Sequence, residues 1–169
     1  MRANAYFLKA RGEIREHSAT SINNLASIYS RRRMTQNNFP ERTLTIDGTR
    51  IQSIESFYAE INRVFMAKED WKLGVSLDAL DDMLYGGYGA AQGNAPVKLL
   101  WLNAEHSRTK LGIAATRAHY LDKLARPETF NHQHWLGVLH ALEAGDGPTY
   151  FEQICQVFAS HPRFTLELA

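Results

Sequence analysis

The sequence predicts an α/β fold: a small three-stranded parallel sheet packed with helices, preceded by an irregular N-terminal extension. Two observations carry this. Apolar runs at 43–46, 97–102 and 164–168 read as strands, and amphipathic patterns of helical period fill the intervals between them. A third is the lack of any hairpin signal joining two of the runs, so each strand must be regained by a crossover that leaves it parallel to the last.

Residues 1–41 are polar and weakly periodic, and they end in "RRRMTQNNFPER", where an arginine run meets Asn, Asn and Pro. They are expected to form an extension, with the folded domain over 42–169. Met34 is an alternative start, which would make the first 33 residues a misassigned or optional leader. Arg31, Arg32 and Arg33 read as a solvated run in preference to an arm that binds anions.

From residue 43 the pattern becomes regular. "TLTI" alternates as a strand and Asp47-Gly48 turns the chain. Ser53 caps a helix in which Ile54, Phe57, Tyr58, Ile61 and Phe65 share one stripe. After the loop "EDWKLGVS", Ser76 caps a second helix, "LDALDDML", residues 77–84. Helical spacing turns Leu77, Leu80 and Leu84 toward a core and Asp78, Asp81 and Asp82 away from it, with Tyr85 continuing the acidic side. "YGGYGAAQGNAP" is expected to be a flexible Gly-rich connection. "VKLLWL" reads as a strand buried on both faces.

A helix is predicted from about Ser107, with Leu111, Ala114, Ala118 and Leu121 inward, ending at Arg126-Pro127. Another spans 135–144 and stops at "GDGP". Thr149 and Glu152 have capping-box spacing and open a last helix with Phe151, Ile154, Cys155 and Phe158 on its core side. His161-Pro162 ends it, and "FTLEL" is the third strand.

Composition is that of an ordinary soluble domain, 44% apolar and 22% charged. No run reaches the length of a membrane span, and no uninterrupted apolar segment follows the N-terminal basic residues as a secretory signal requires. The single cysteine, Cys155, leaves no intramolecular disulfide and agrees with a reducing compartment. A cytoplasmic protein is expected. The net charge of +1 hides an asymmetry: residues 1–33 hold seven basic and two acidic residues, so 34–169 carry a formal −4. An acidic body argues against direct nucleic-acid binding, which needs clustered Lys and Arg.

Three aspartates on one short helix repel one another by a few tenths of a kcal/mol per pair, roughly. Asp78 is compensated by the helix N-terminus, an effect that fades beyond the first turn and leaves Asp81 and Asp82 unexplained. A metal site would need oxygen ligands converging on one point, and Asp78 with Asp82 supply two. No EF-hand loop or second acidic motif completes such a site. His132 and His134 have no thiolate partners and read as a solvated loop. Cys155 reads as a small core hydrophobe. The Gly86–Gly89 stretch lacks the Lys and Ser/Thr of a phosphate loop and follows a helix instead of a strand. No catalytic residue, cofactor or metal is therefore assigned. What stands out is an acidic helix face beside Trp71, Tyr85 and Tyr88, the composition of a recognition hot spot.

These segments also resemble a family. "LTIDGTRIQSIESFYAEINRVF", then "DWKLGVSLDALDDMLYGGYG", then "WLNAEHSRTKLG" and "GPTYFEQICQVFASHPRFTLELA" are similar, in order, to the barstar family of intracellular ribonuclease inhibitors, with extra sequence around 105–148. The resemblance implies a three-stranded parallel sheet with packed helices and, for function, occlusion of a nuclease active site by an acidic helix and its adjoining loop. It implies a basic ribonuclease or toxin nuclease as partner and a chain that is monomeric when free. By that resemblance Asp78 and Asp82 match the carboxylates of the inhibitory helix, and Asp82 ranks first. Asp81 stands where the namesake has an interface Trp, and Lys72 where it has a Tyr. Gln156 replaces an acidic contact, with Glu152 one turn earlier. The expected partner-binding set is thus Asp82, Asp78, Asp81, Tyr85, Trp71, Lys72, Tyr88, Glu152 and Gln156. Two alternatives stay open: a non-inhibitory adaptor on the same fold, and a metal-dependent hydrolase using Asp78 and Asp82.

Overall fold

The computed structural model describes residues 42–169, and the expected extension over 1–41 lies outside them. Strands β1 (Arg42–Asp47), β2 (Val97–Leu102) and β3 (Phe164–Leu168) form one sheet in the order β1-β2-β3, both pairings parallel. Among the described residues there are six α-helices, α1 (Ile54–Phe65), α2 (Leu77–Leu84), α3 (Ala104–Lys110), α4 (Ile113–Leu124), α5 (His132–Ala144) and α6 (Tyr150–Ala159), and two single turns of 3-10 helix, Gly48–Arg50 and Gly89–Ala91. The α/β class and parallel sheet expected from the sequence are what the chain forms.

Register sets the core. Ile46, Trp101 and Leu168 lie abreast, as do Leu44, Leu99 and Leu166, so alternate residues of all three strands share one face. Buried Phe57, Ile61 and Phe65 from α1, Leu80, Met83 and Leu84 from α2, and Phe151, Ile154 and Phe158 from α6 join that face in one cluster. Trp101 is at its centre, stacked on Phe57 at 5.7 Å and tilted against Phe151 at 5.1 Å. Its indole N–H donates to the buried Ser107 hydroxyl at 3.0 Å, which satisfies the one polar atom of the largest core side chain.

The expectation that β2 is buried on both faces does not hold. Val97, Leu99 and Trp101 are buried, whereas Lys98 and Leu100 are half-buried and Leu102 is exposed. The second face also carries Thr43, Thr45 and Thr165, and the ion pair of Lys98 with Glu167 at 2.6 Å. A continuous apolar run cannot distinguish a two-sided strand from a one-sided strand with leucines on its wet side.

The helix predicted from Ser107 is two helices. Gly112 is extended and breaks the chain between α3 and α4, which resets the helical phase. Leu111 is buried as expected, but Ala114, Ala118 and Leu121 face solvent while Thr116 and Tyr120 point inward. A stripe drawn through the break places every later residue on the wrong side. Helices α4 and α5 build a small cluster of their own from Tyr120, Leu139 and Leu142. Thr116 ties them to the domain: its hydroxyl accepts from Tyr150 N–H at 2.8 Å, and Leu111 C=O accepts from Phe151 N–H at 3.2 Å. Two donors at the start of α6 are satisfied this way, alongside the Thr149/Glu152 capping box.

Buried Glu60 joins α1 to the end of β1. Its carboxylate accepts from Asp47 N–H at 2.8 Å, takes both ends of the Arg63 fork at 2.6 and 2.7 Å, and pairs with Arg50 at 3.0 Å. Burial pushes the carboxyl up, but these hydrogen bonds and the two guanidinium charges prevail and hold it below its ordinary value. Its contribution to stability is therefore complete at neutral pH and is lost as pH falls through the lowered value. Glu60→Gln is expected to cost about 2 kcal/mol near pH 7, with the gap to wild type closing toward pH 3 in thermal unfolding scans. A gap that is constant with pH would contradict this account.

Candidate protein-binding face

Helix α2 is short and needs local help to start. Ser76, extended at the N-cap, accepts from Ala79 N–H at 3.0 Å. Leu80, Met83 and Leu84 are buried and Leu77 partly so. Met83 was not expected on the core side, although its i+3 spacing from Leu80 allowed it. Asp78 and Asp82 are exposed.

Asp81 is placed differently. Its Oδ1 lies 2.8 Å from Nε2 of His161, whose side chain is only 8% exposed, and its own side chain is 38% exposed. The His161 ring also meets Tyr85 edge-on, with centroids 4.8 Å apart, while Tyr85 remains 73% exposed. The fold therefore gathers Asp81 and Tyr85 around a histidine that sequence reasoning treated only as part of a helix stop. Nothing local to His161-Pro162 signals this, because the contact spans 80 residues of chain.

Asp78 lies near a second buried polar pair. Tyr58 of α1 and Tyr150 of α6 share a hydrogen bond at 3.0 Å between their hydroxyls. Burial pushes the Tyr58 phenol far up and Tyr150 up to about 12, and the Asp78 charge adds to both. Both phenols stay protonated and link α1 to α6 at this end of the face.

Asp82 lies close enough to Tyr88 for its charge to act on that phenol. Partial burial and the Asp82 charge raise the Tyr88 phenol, and Tyr88 packs edge-on against Trp71 at 4.9 Å. Trp71 is itself 44% exposed, so the 66–76 loop meets the segment after α2 through an aromatic pair. Gly89 N–H donates to Glu69 at 2.8 Å and reinforces that junction.

The segment 85–96 is not the flexible connection expected from its glycines. Gly86 and Gly89 have φ of +90° and +63°, and a Cβ there would come within 2.7 Å of Gly93 C=O and 2.5 Å of Phe65 C=O respectively. The Arg163 guanidinium donates to the carbonyls of Leu84 (3.3 Å), Gly93 (2.6 Å), Ala95 (3.4 Å) and Ala91. The glycines thus allow a tight path, which Arg163, just before β3, fastens at four carbonyls and Arg42 of β1 at a fifth, Ala90 C=O at 2.6 Å. Sequence reading missed Arg163 because a lone arginine before a strand looks like surface charge.

The remaining expected residues are spread more widely. Lys72 is exposed in the loop before α2. Glu152 lies in the first turn of α6, where its Oε2 accepts from Thr149 N–H at 2.7 Å and Thr149 Oγ1 at 2.9 Å; these bonds hold its carboxyl down. Gln156 is exposed one turn later. Helix α6 packs against α2. A groove of about 600 Å³ runs between α1 and the 66–76 loop past Tyr58, Met66, Trp71 and Val75, and it takes none of the three α2 aspartates into its wall. Among the described residues no three His, Cys, Asp or Glu side chains converge as a metal site. Burial raises the half-buried Cys155 thiol, which disfavours the nucleophilic thiolate.

The parallel sheet, the capped α2 and its adjoining loop lie mainly within residues 41–138, and that stretch matches the family model Barstar (barnase inhibitor) over more than half of the chain. The chain belongs to the barstar family. Its fold is accordingly that of a barnase-type ribonuclease inhibitor. The barstar match ends inside α5, so α6 and β3, which supply His161 and Arg163, lie beyond it. No curated protein matches the chain. Among the described residues no helix is long and apolar enough to cross a membrane.

Proposed function

We propose that this barstar-family chain is a stoichiometric inhibitor of a ribonuclease or related toxin nuclease, acting as a monomer in the cytoplasm and binding protein, not nucleic acid. In this reading α2 and the 85–96 segment block the cationic active site. The observation that carries it is the exposure of Asp78 and Asp82 on a helix anchored by three buried side chains, with exposed Tyr85 at its C-cap and the Tyr88–Trp71 pair on the Asp82 side. A nuclease cleft is cationic because it holds phosphate. Carboxylates on a rigid element can occupy the phosphate positions without ordering cost and steer the encounter electrostatically. The aromatic flanks add contact area of the kind that dominates binding energy.

The test is a titration of the purified chain into barnase and a panel of small cationic microbial ribonucleases, followed by RNA cleavage. At least one enzyme is expected to be silenced with an end point near one inhibitor per enzyme, and the affinity should fall as salt is raised. Undiminished cleavage across the whole panel would overturn the proposal.

A further inference from the structure

His161 belongs to no part of the plug described above, yet it is a buried polar group adjoining it. It sits in the turn between α6 and β3, packed edge-on against Phe164 as well as Tyr85. An ionised carboxylate only accepts, so Nε2 carries the hydrogen shared with Asp81. One oxygen of Asp81 is thereby anchored. The other has no partner among the described residues, on a side chain left partly open to solvent. Tyr85, one helical turn on, presents its exposed ring beside the same imidazole. A fixed carboxylate oxygen next to an open aromatic ring suits one cation above others. A guanidinium can pair with the carboxylate through its planar fork while its face lies on the ring, which a compact ammonium cannot do as well.

We propose that Asp81 and Tyr85, positioned by His161, form an arginine-recognition subsite at the edge of the acidic face. It rests on the inhibitor reading for the source of the arginine, a side chain beside the active site of the bound nuclease. His161 is the positioning residue. Without it, Asp81 would be free to rotate and Tyr85 would lose its backing, so binding would have to order both.

The probe is acetyl-tetra-arginine amide, titrated into the isotope-labelled full chain at low salt, with the tetra-lysine peptide in parallel. The amide signals of Asp81 and Tyr85 should shift most, and tetra-arginine should bind about threefold or more tighter than tetra-lysine. Asp81→Asn and His161→Leu should each remove that preference. His161→Gln, whose side-chain N–H can reach the same oxygen, should restore it, a rescue that a purely structural role would not produce. Asp81→Asn alters a partly exposed group and carries the test even if His161→Leu fails to fold. Shifts confined to Asp78 and Asp82, equal response to the two peptides, or an unchanged preference in Asp81→Asn would overturn the subsite while leaving nuclease inhibition standing. A chain that shows the arginine preference but silences no ribonuclease would overturn the inhibitor reading alone.

Discussion

Asp82→Ala is expected to weaken binding to an inhibited ribonuclease about 30-fold or more, near 2 kcal/mol, the scale of an interface hot spot. The same substitution should leave the fold intact. The Asp82 side chain is exposed and makes no hydrogen bond within the described residues, so nothing in the core depends on it. Removing it also relieves the repulsion with Asp78 one turn earlier, and unfolding stability should rise by about a few tenths of a kcal/mol or stay level. That opposition is the signature to look for: affinity falls sharply while thermal stability does not. Asp82→Asn separates charge from shape, since it keeps the size and should lose most of the affinity, together with part of the salt dependence. Unchanged inhibition by both variants would mean that the acidic helix is not the plug.

Arg163→Met has the largest expected effect on the scaffold. The guanidinium bonds four backbone carbonyls between Leu84 and Ala95 and lies over the Phe164 ring at 4.5 Å. Methionine keeps much of the apolar stem but leaves those carbonyls to find water. A loss of about 2–4 kcal/mol follows from several charge-assisted bonds that do not add fully. Urea unfolding measures it. Arg163→Lys should recover only a minor part, because a single ammonium cannot span the separated carbonyls that the fork reaches. Inhibition should weaken as well, since Tyr85 and Tyr88 sit on the segment that Arg163 fastens. A variant that unfolds like wild type would show that the glycine-rich path is held without Arg163, by its own turns and by Arg42 and Glu69.

Much of the candidate face is legible in the sequence. Ser76 and the Leu80/Leu84 spacing are local signals, and local signals suffice to place Asp78 and Asp82 on the outside of a capped helix. The strands at 43–46, 97–102 and 164–168 were legible for the same reason, as was the capping box at Thr149. The errors arose where one side chain's role depends on something distant. The α4 stripe failed because Gly112 interrupts the helix and resets the phase. The wet side of β2 could not be read from its own leucines. The 85–96 segment looked loose because glycine is as compatible with a tight turn as with freedom, and Arg163 is what distinguishes them.

From the sequence alone, this chain's α/β architecture, its three parallel strands and an outward acidic helix follow, because helix and strand periods and capping residues act over a few neighbours. Only the tertiary structure decided that Asp81 is anchored by His161, that Tyr85 is backed by the same ring, and that Arg163 binds the loop beside them. Those contacts join residues some 70–80 positions apart, and they exist because α2, α6 and β3 close on a single core around Trp101.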